Sequence, residues 1–341
     1  MIILGIESSC DETSVAILRD ETVLINLVSS QDFHKLYGGV VPELSSRAHL
    51  QQVLPLVRAA LQQSGVPESG IDVIAATAGP GLIGALLVGF TFAKGFAYSL
   101  QKPLIPVNHI EAHLYSAFLM EEKPVFPVLT LIVSGGHTML CLLKSETEIE
   151  LIGNTIDDAA GEAFDKVAKM TGLGYPGGPK IQAAARLGNP DAIRFPIAEP
   201  ASRFDFSFSG LKTAVLRSMQ KEGLTGATVT DEQRNDIAAS FQKAAIGALI
   251  QKTERALKAY PCATLSLAGG VAANALLREQ FLALGKRHGL PVVIPAFEYC
   301  GDNAAMIAYR GYTLWKAGER FGLDYNPFPS FSSKYIIPSK S

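Results

Sequence analysis

Cysteine is scarce in this chain of 341 residues: there are four, Cys10, Cys141, Cys262 and Cys300, and no two stand in a CxxC spacing. That excludes a disulfide scaffold and a CxxC zinc or redox motif, and it suits a reducing compartment. An excess of charge of one sign is also missing, since 30 lysines and arginines face 32 aspartates and glutamates for a net charge of −2. No basic field covers the whole surface, so any contact with nucleic acid must come from a local patch or through a partner. Long apolar runs are absent too. The longest, Leu82–Ala93, is interrupted by glycines, closed by Lys94 and too short to span a bilayer, so a buried helix is expected there. Met1–Glu7 has no basic leader and turns polar at once, so no signal peptide is expected. A cytoplasmic protein without membrane contact is the expectation.

With 48% hydrophobic residues, the chain has enough apolar material for two lobes. An internal echo supports that number. The β-prone run Ile2–Ile6 leads through the polar loop Glu7–Thr13 into a second apolar run at Ser14–Leu18. Later, Pro127–Val133 leads through Ser134-Gly135-Gly136-His137 into Thr138–Leu143. Both read as hairpins with small-residue turns, each opening one half of a duplicated α/β protein. The expected division is an N-terminal lobe over 1–124, a C-terminal lobe over 125–325 and a loosely ordered tail over 326–341. Strands are expected at Val73–Thr77, Pro103–Val107 and Thr264–Leu267. Helices are expected at Asp157–Met170, Lys180–Leu187, Asp231–Lys258 and Ala272–Leu284, with a last one running from Gly301 through Trp315.

In His109-Ile110-Glu111-Ala112-His113 the histidines are spaced i, i+4 and leave one helical face together, as a shared transition-metal ion requires. The alternative is a pair that only packs or caps the helix. Glu111 does not follow the first histidine directly, as the base of an HExxH protease does. It lies about 200° around the helix from His109 and points away from such a metal. A third ligand is needed, and Asp302 offers a carboxylate, although its place before a helix equally suits an N-cap. Ser134–His137 can present backbone amides to an anion, and Gly269-Gly270 can bring a nucleotide close to a helix N-terminus, although most such glycines only make turns. Asp165 and Lys166 can equally be ordinary exposed helix residues. Asp11 and Glu12 suit general-base work or a solvated loop.

Together these segments resemble one family. They are Gly5–Thr13, Gly38–Glu43, His109–His113, Val133–His137, Gly161–Lys166, Gly174–Pro179, Phe206–Thr213, Gly269–Asn274 and Cys300–Asn303, in the family's order over residues 1–325. The family is the tRNA N6-adenosine threonylcarbamoyltransferases, formerly labelled glycoproteases. The resemblance implies a duplicated two-lobed actin/sugar-kinase/heat-shock-type ATPase fold with an interlobe nucleotide site. It implies transfer of a threonylcarbamoyl group from threonylcarbamoyl-adenylate to N6 of the adenosine at position 37, in tRNAs reading codons that begin with A. Carried over by motif, His109, His113 and Asp302 hold a divalent metal, expected to be iron, with zinc or magnesium as alternatives. Val133, Ser134, Gly135, Gly136 and His137 line the adenylate phosphate; Asp165, Gly178 and Asn274 position ribose and base. Asp11 and Glu12 lie near the reacting carbamoyl group. Kinases of that fold place an aspartate at the end of the first strand, whereas Glu7 here is followed by Ser8 and Ser9, which argues against ordinary kinase chemistry. The implied partners are tRNA, a separate threonylcarbamoyl-adenylate synthase and, if the chain is bacterial, a paralogous scaffold subunit and a small ATPase. Lys166, Lys169, Lys180, Arg278, Lys286 and Arg287 are candidate tRNA contacts or plain solvated surface. The competing classes are a metalloprotease and a non-catalytic nucleotide-binding scaffold.

Overall fold

Two compact units emerge from a computed structural model that describes residues 1–330. The first opens with β1 (Ile2–Glu7), β2 (Glu12–Arg19) and β3 (Thr22–Ser30). It continues through α1 (Pro42–Ser64), β4 (Val73–Gly79), α2 (Ile83–Leu100), β5 (Leu104–Asn108) and α3 (His109–Tyr115). The strand order is β3-β2-β1-β4-β5. β1 is antiparallel to β2 with Ile2 opposite Arg19, and parallel to β4 with Ile3 opposite Val73. All residues of β4 and β5 are buried, as expected of strands covered on both faces.

The second unit opens with β6 (Val128–Val133), β7 (Thr138–Leu143) and β8 (Ile149–Asn154). Helices α4 (Ala160–Met170), α5 (Gly177–Ala185), α6 (Ser209–Lys221) and α7 (Asp231–Leu257) follow. It closes with β9 (Thr264–Ala268), α8 (Ala275–His288) and β10 (Val292–Val293). Its strand order, β8-β7-β6-β9-β10, repeats that of the first sheet strand for strand. Both expected hairpins are present, β6 being antiparallel to β7 and parallel to β9. The duplication is therefore one of topology.

The chain then returns to the first unit with α9 (Phe297–Cys300) and α10 (Ala304–Lys316). Residues 1–123, 145–149 and everything described from Pro295 onward form that unit, whereas 124–144 and 150–294 form the second. The division expected from sequence carries the second lobe on to 325. The boundary lies earlier because α10 is buried along its whole course from Ala304 to Leu314 and packs on the first sheet. Any Cβ on Gly5 of β1 would strike the Ala304 carbonyl and Ala308, and one on Gly311 would strike Ala75 of β4. Only glycine permits these approaches. The expected loose tail starts with ordered chain, since Phe328 N donates to the Ala78 carbonyl (2.8 Å) and Gly81 N to that of Pro329 (3.2 Å). The rest of that tail, 331–341, lies outside the described residues.

Helix α2 continues past Lys94 to Leu100 and is, by length and composition, apolar enough to cross a membrane. One face, with Phe90, Ala93 and Ala97, enters the core of the first unit beside Val53 and Val57 of α1. Ile83, Leu87 and Tyr98 lie on its exposed side. The helix expected at Asp157 starts later, at Ala160. Asp157 instead accepts hydrogen bonds from Phe208 N (2.8 Å) and Ser209 N (3.2 Å), and Asp158 pairs with Lys212 of α6 (2.6 Å).

Candidate metal centre and nucleotide pocket

β5 runs straight into α3, whose N-cap is Asn108: its side chain accepts from the backbone N–H groups of Ile110 and Glu111. The cap fixes where the helix begins, and so which way His109 and His113 leave it. Their rings meet edge to face with centroids 4.7 Å apart. Asp302 Oδ1 lies 3.0 Å from His113 Nε2 and 3.5 Å from His109 Nε2. One donor atom from each of the three residues falls within 4.8 Å of the others, and the histidines are buried. The N-cap alternative for Asp302 is overturned by its neighbour, since Asn303 Oδ1 accepts from Met306 N (3.1 Å) and starts α10. Asp302 is thereby left to face the histidines. Two imidazoles and one carboxylate make a facial donor set for a divalent transition metal with open positions beyond the protein ligands. His113 Nδ1, the ring nitrogen turned away from Asp302, is buried without a hydrogen-bond partner among the described residues.

Glu7 completes this centre, and nothing in its sequence motif assigns it a ligand-orienting part. It ends β1, is fully buried, and accepts from Ser9 N (2.5 Å) and Thr77 Oγ1 (2.5 Å). Its Oε2 also lies 3.1 Å from His109 Nδ1. A carboxylate on one ring nitrogen directs the other toward a metal and raises its basicity. Burial alone would raise the Glu7 carboxyl, but His109 outweighs it and the net shift is downward. The His109 imidazole, which burial alone would depress, is pushed up to about 9 by Asp302 and Glu7. Glu111 points away from the centre, as expected, and forms a buried ion pair with Arg310 of α10 (2.8 Å).

The Asp11–Glu12 loop is held from beneath by α1. His49 makes hydrogen bonds with Thr13 Oγ1 (2.8 Å) and the Cys10 carbonyl (3.0 Å), and Ser45 Oγ donates to the same carbonyl. Burial pulls the His49 imidazole below its ordinary range. Glu12 is pushed up to about 10, first by burial and then by the charges of Asp302 and Asp11.

In the second unit, a cavity of about 240 Å³ is lined by Gly135, Gly161, Phe164, Asp165, Gly178, Pro179, Gln182, Gly270, Val271, Ala273 and Asn274. Four of the expected substrate residues, Gly135, Asp165, Gly178 and Asn274, meet there. Val133, Ser134, Gly136 and His137 are outside the lining, in the turn that delivers Gly135. That turn is closed by Ser134 N donating to the His137 carbonyl (2.8 Å) and His137 N donating to Ser134 Oγ (3.1 Å). A Cβ on Gly135, Gly178 or Gly270 would meet nothing within 4 Å, so the cavity reaches bare backbone at three points. Asp165 accepts from Gly177 N (2.6 Å), fixing the start of α5 on which Gly178 sits. Asn274 caps α8 by accepting from Leu277 N (3.1 Å) and donates to Gln242 (2.8 Å). Gln182, for which the sequence motif leaves no clear part, accepts from Ala275 N (2.6 Å) and so braces the same helix start. Lys166 is engaged with Asp158 (2.9 Å) and Glu162 (2.7 Å), and Arg278 donates to the Ala272 carbonyl (2.7 Å).

A sequence model of the tRNA N6-adenosine threonylcarbamoyltransferase family matches residues 22–309. Among curated relatives of that name, one from Symbiobacterium thermophilum is 52% identical over 96% of this chain and 96% of its own. One from Porphyromonas gingivalis is 48% identical over 96% of this chain and 97% of its own. Among solved structures, HypF from T. kodakarensis superposes with a TM-score of 0.64 at 15% identity, over 93% of this chain and 48% of its own. The activator of 2-hydroxyisocaproyl-CoA dehydratase from Clostridium difficile, with bound ADPNP, gives 0.52 at 11% identity over 93% and 97%. At such identities the likeness is one of fold, and the fold is the duplicated α/β type of the actin/sugar-kinase/heat-shock ATPases.

Proposed function

The chain belongs to the tRNA N6-adenosine threonylcarbamoyltransferase family, and from that premise we propose how its residues divide the work of the transfer. The protein is a tRNA-modifying acyltransferase. The donor is threonylcarbamoyl-adenylate and the acceptor is N6 of the adenosine at position 37, in tRNAs reading codons that begin with A. The observation that carries this reading is the pair of sites: a His-His-Asp donor set in one unit and a glycine-floored cavity in the other. The adenylate occupies the cavity. Gly135, with the turn Val133, Ser134, Gly136 and His137 behind it, receives the phosphate, because bare backbone lets amides approach an anion. Asp165, Gly178 and Asn274 position ribose and base.

His109, His113 and Asp302 hold a divalent metal, proposed to be iron; when bound it supplies a Lewis acid for charge that develops during acyl transfer. Glu7 keeps His109 turned toward that position. Asp11 or Glu12 is the base that assists the exocyclic amine. A separate synthase supplies the adenylate. The relatives reported above are bacterial, which favours a paralogous scaffold subunit and a small ATPase as partners, in the cytoplasm.

Mass spectrometry of tRNA nucleosides after depletion of the protein tests the transfer: threonylcarbamoyladenosine should disappear, and an undiminished level refutes the reading. Combining His109→Ala with His113→Ala should remove both the bound metal and the modification. Retention of full iron content and full activity would end the metal assignment.

A further inference from the structure

A hollow of about 680 Å³ on the second unit is distinct from the nucleotide cavity. It runs along the outer side of α6, with Ile193–Pro196 as its opposite wall. Thr213, Arg217 and Lys221 follow one another at i, i+4 on α6 and share one face, and Arg194 faces them from the other wall. Arg194, Arg217 and Lys221 are exposed, and none has an ion-pair partner among the described residues. No carboxylate is among the lining residues, whereas hydroxyls of Ser209 and Thr213 are. Several other cations of this unit are engaged. Lys212 and Lys166 pair with Asp158, Lys243 with Asp191, and Lys252 and Arg255 with Glu199. At the start of α6, Phe208 N and Ser209 N donate to Asp157. The unpaired cations make the groove attractive to anions. Acids return only in the adjoining hollow, at Glu222 and Asp236.

From Gly210 to Lys221 the groove follows α6 for about 17 Å, the length of some five nucleotides at about 3.4 Å of rise each. Arg217 and Lys221 stand four residues, about 6 Å, apart on α6, and Arg194 adds a third cation to the same groove, more than the single phosphate of a nucleoside monophosphate needs. We propose that the α6 groove carries the phosphodiester backbone of the tRNA substrate, through Arg194, Arg217 and Lys221. This rests on the transferase reading above and assigns its RNA a place. It also answers the near-neutral net charge, which requires a local basic surface. Backbone contacts of this kind set register without reading sequence.

The test is fluorescence anisotropy of labelled tRNA with the full chain carrying Arg194→Gln, Arg217→Gln and Lys221→Gln together, titrated at several salt concentrations. ADP binding and thermal melting on the same preparations serve as controls. The expected result is tRNA affinity weakened by about tenfold or more, with the slope of log affinity against log salt shallower by roughly 2–3, because each lost phosphate contact removes about one. ADP affinity and melting should match the parent chain. Single Arg217→Gln and Lys221→Gln variants should show the same trend in smaller steps. Equal tRNA affinity and equal salt slope in parent and triple variant overturn the groove assignment while leaving the transferase reading intact. The groove assignment falls equally if the triple variant loses binding only to tripolyphosphate or to an acidic peptide. If depletion leaves threonylcarbamoyladenosine unchanged, the transferase reading itself fails, and that assay does not depend on the groove.

Discussion

At the scale of single residues, the metal centre shows how much of a site depends on side chains that never reach the ligand. His109 and His113 announce themselves by spacing. Glu7 does not, because its partner lies 102 positions away and only the folding of β1 beside β4 and β5 brings it there. A carboxylate ending an otherwise apolar buried strand is nonetheless a signal, since a buried charge needs partners. Glu7→Gln keeps the shape and removes the charge. Metal affinity should fall by roughly 10- to 100-fold, as for other outer-shell partners of ligating histidines, and a competition titration with a chelator measures it. Asp158 makes a second residue-scale case. Burial works to raise its carboxyl, but hydrogen bonds from Lys212 and Lys166 outweigh that and hold it below the usual carboxylate range. A depressed folded value means stabilisation that is present above the unfolded value and lost as pH falls through the folded one. Asp158→Asn should therefore cost on the order of 1–3 kcal/mol in urea unfolding at pH 7. The gap between variant and parent should close below about pH 3.8, the ordinary aspartate value.

Among elements, those with short apolar runs and glycine turns are readable from sequence, and so is the helix bearing the histidines. Six are not: β3, α1, β8, α6 and the short β10 and α9. In α1 the buried positions Ser45, His49, Val53 and Val57 keep the helical period, but the first two are polar and hide it. They are polar because they hold the loop of Asp11 and Glu12. In α6 the buried positions Leu211, Val215 and Met219 are regular, but the remaining faces mix cations with small and polar residues and the apolar stripe is narrow. β3 is partly buried along most of its length and lacks the alternation that marks a strand. The nucleotide cavity is legible through Gly135, Asp165, Gly178 and Asn274, less so through Gln182 and Gly161, which do their work on neighbouring backbone. The junction of α3 with α10 can be tested directly. Glu111 and Arg310 are both buried, and breaking such a pair leaves an uncompensated charge in the core. Glu111→Gln should lower stability by about 3–5 kcal/mol, whereas replacing both partners with apolar residues should recover much of that. A double-mutant cycle by denaturant unfolding gives the figure. A cost under about 1 kcal/mol for the single change would show that the helices are joined mainly by other contacts.

For the whole molecule, the two sheets have one topology but their units are cut differently from the chain. The second unit is nearly continuous in sequence. The first is assembled from an N-terminal run and a C-terminal return that supplies α10 and Asp302. Ending the chain at Ile294 should therefore cost the first unit its fold and the metal its carboxylate ligand. Amides of β1, β4 and β5 should lose protection in hydrogen exchange, while those of β6, β7 and β9 keep theirs. Wild-type protection across β1 in that truncation would show that α10 is dispensable to the sheet. The same return segment has a consequence in time. Synthesis proceeds at roughly 5–20 residues per second, so the stretch between Lys123 and Pro295 occupies the ribosome for something like ten to thirty seconds. During that interval the first sheet is complete in its strands but lacks its covering helix, and His109 and His113 have emerged without Asp302. A metal held by these three residues would find its full protein ligand set only near the end of translation, so a shortage of that metal would leave finished but empty chains, not stalled ones.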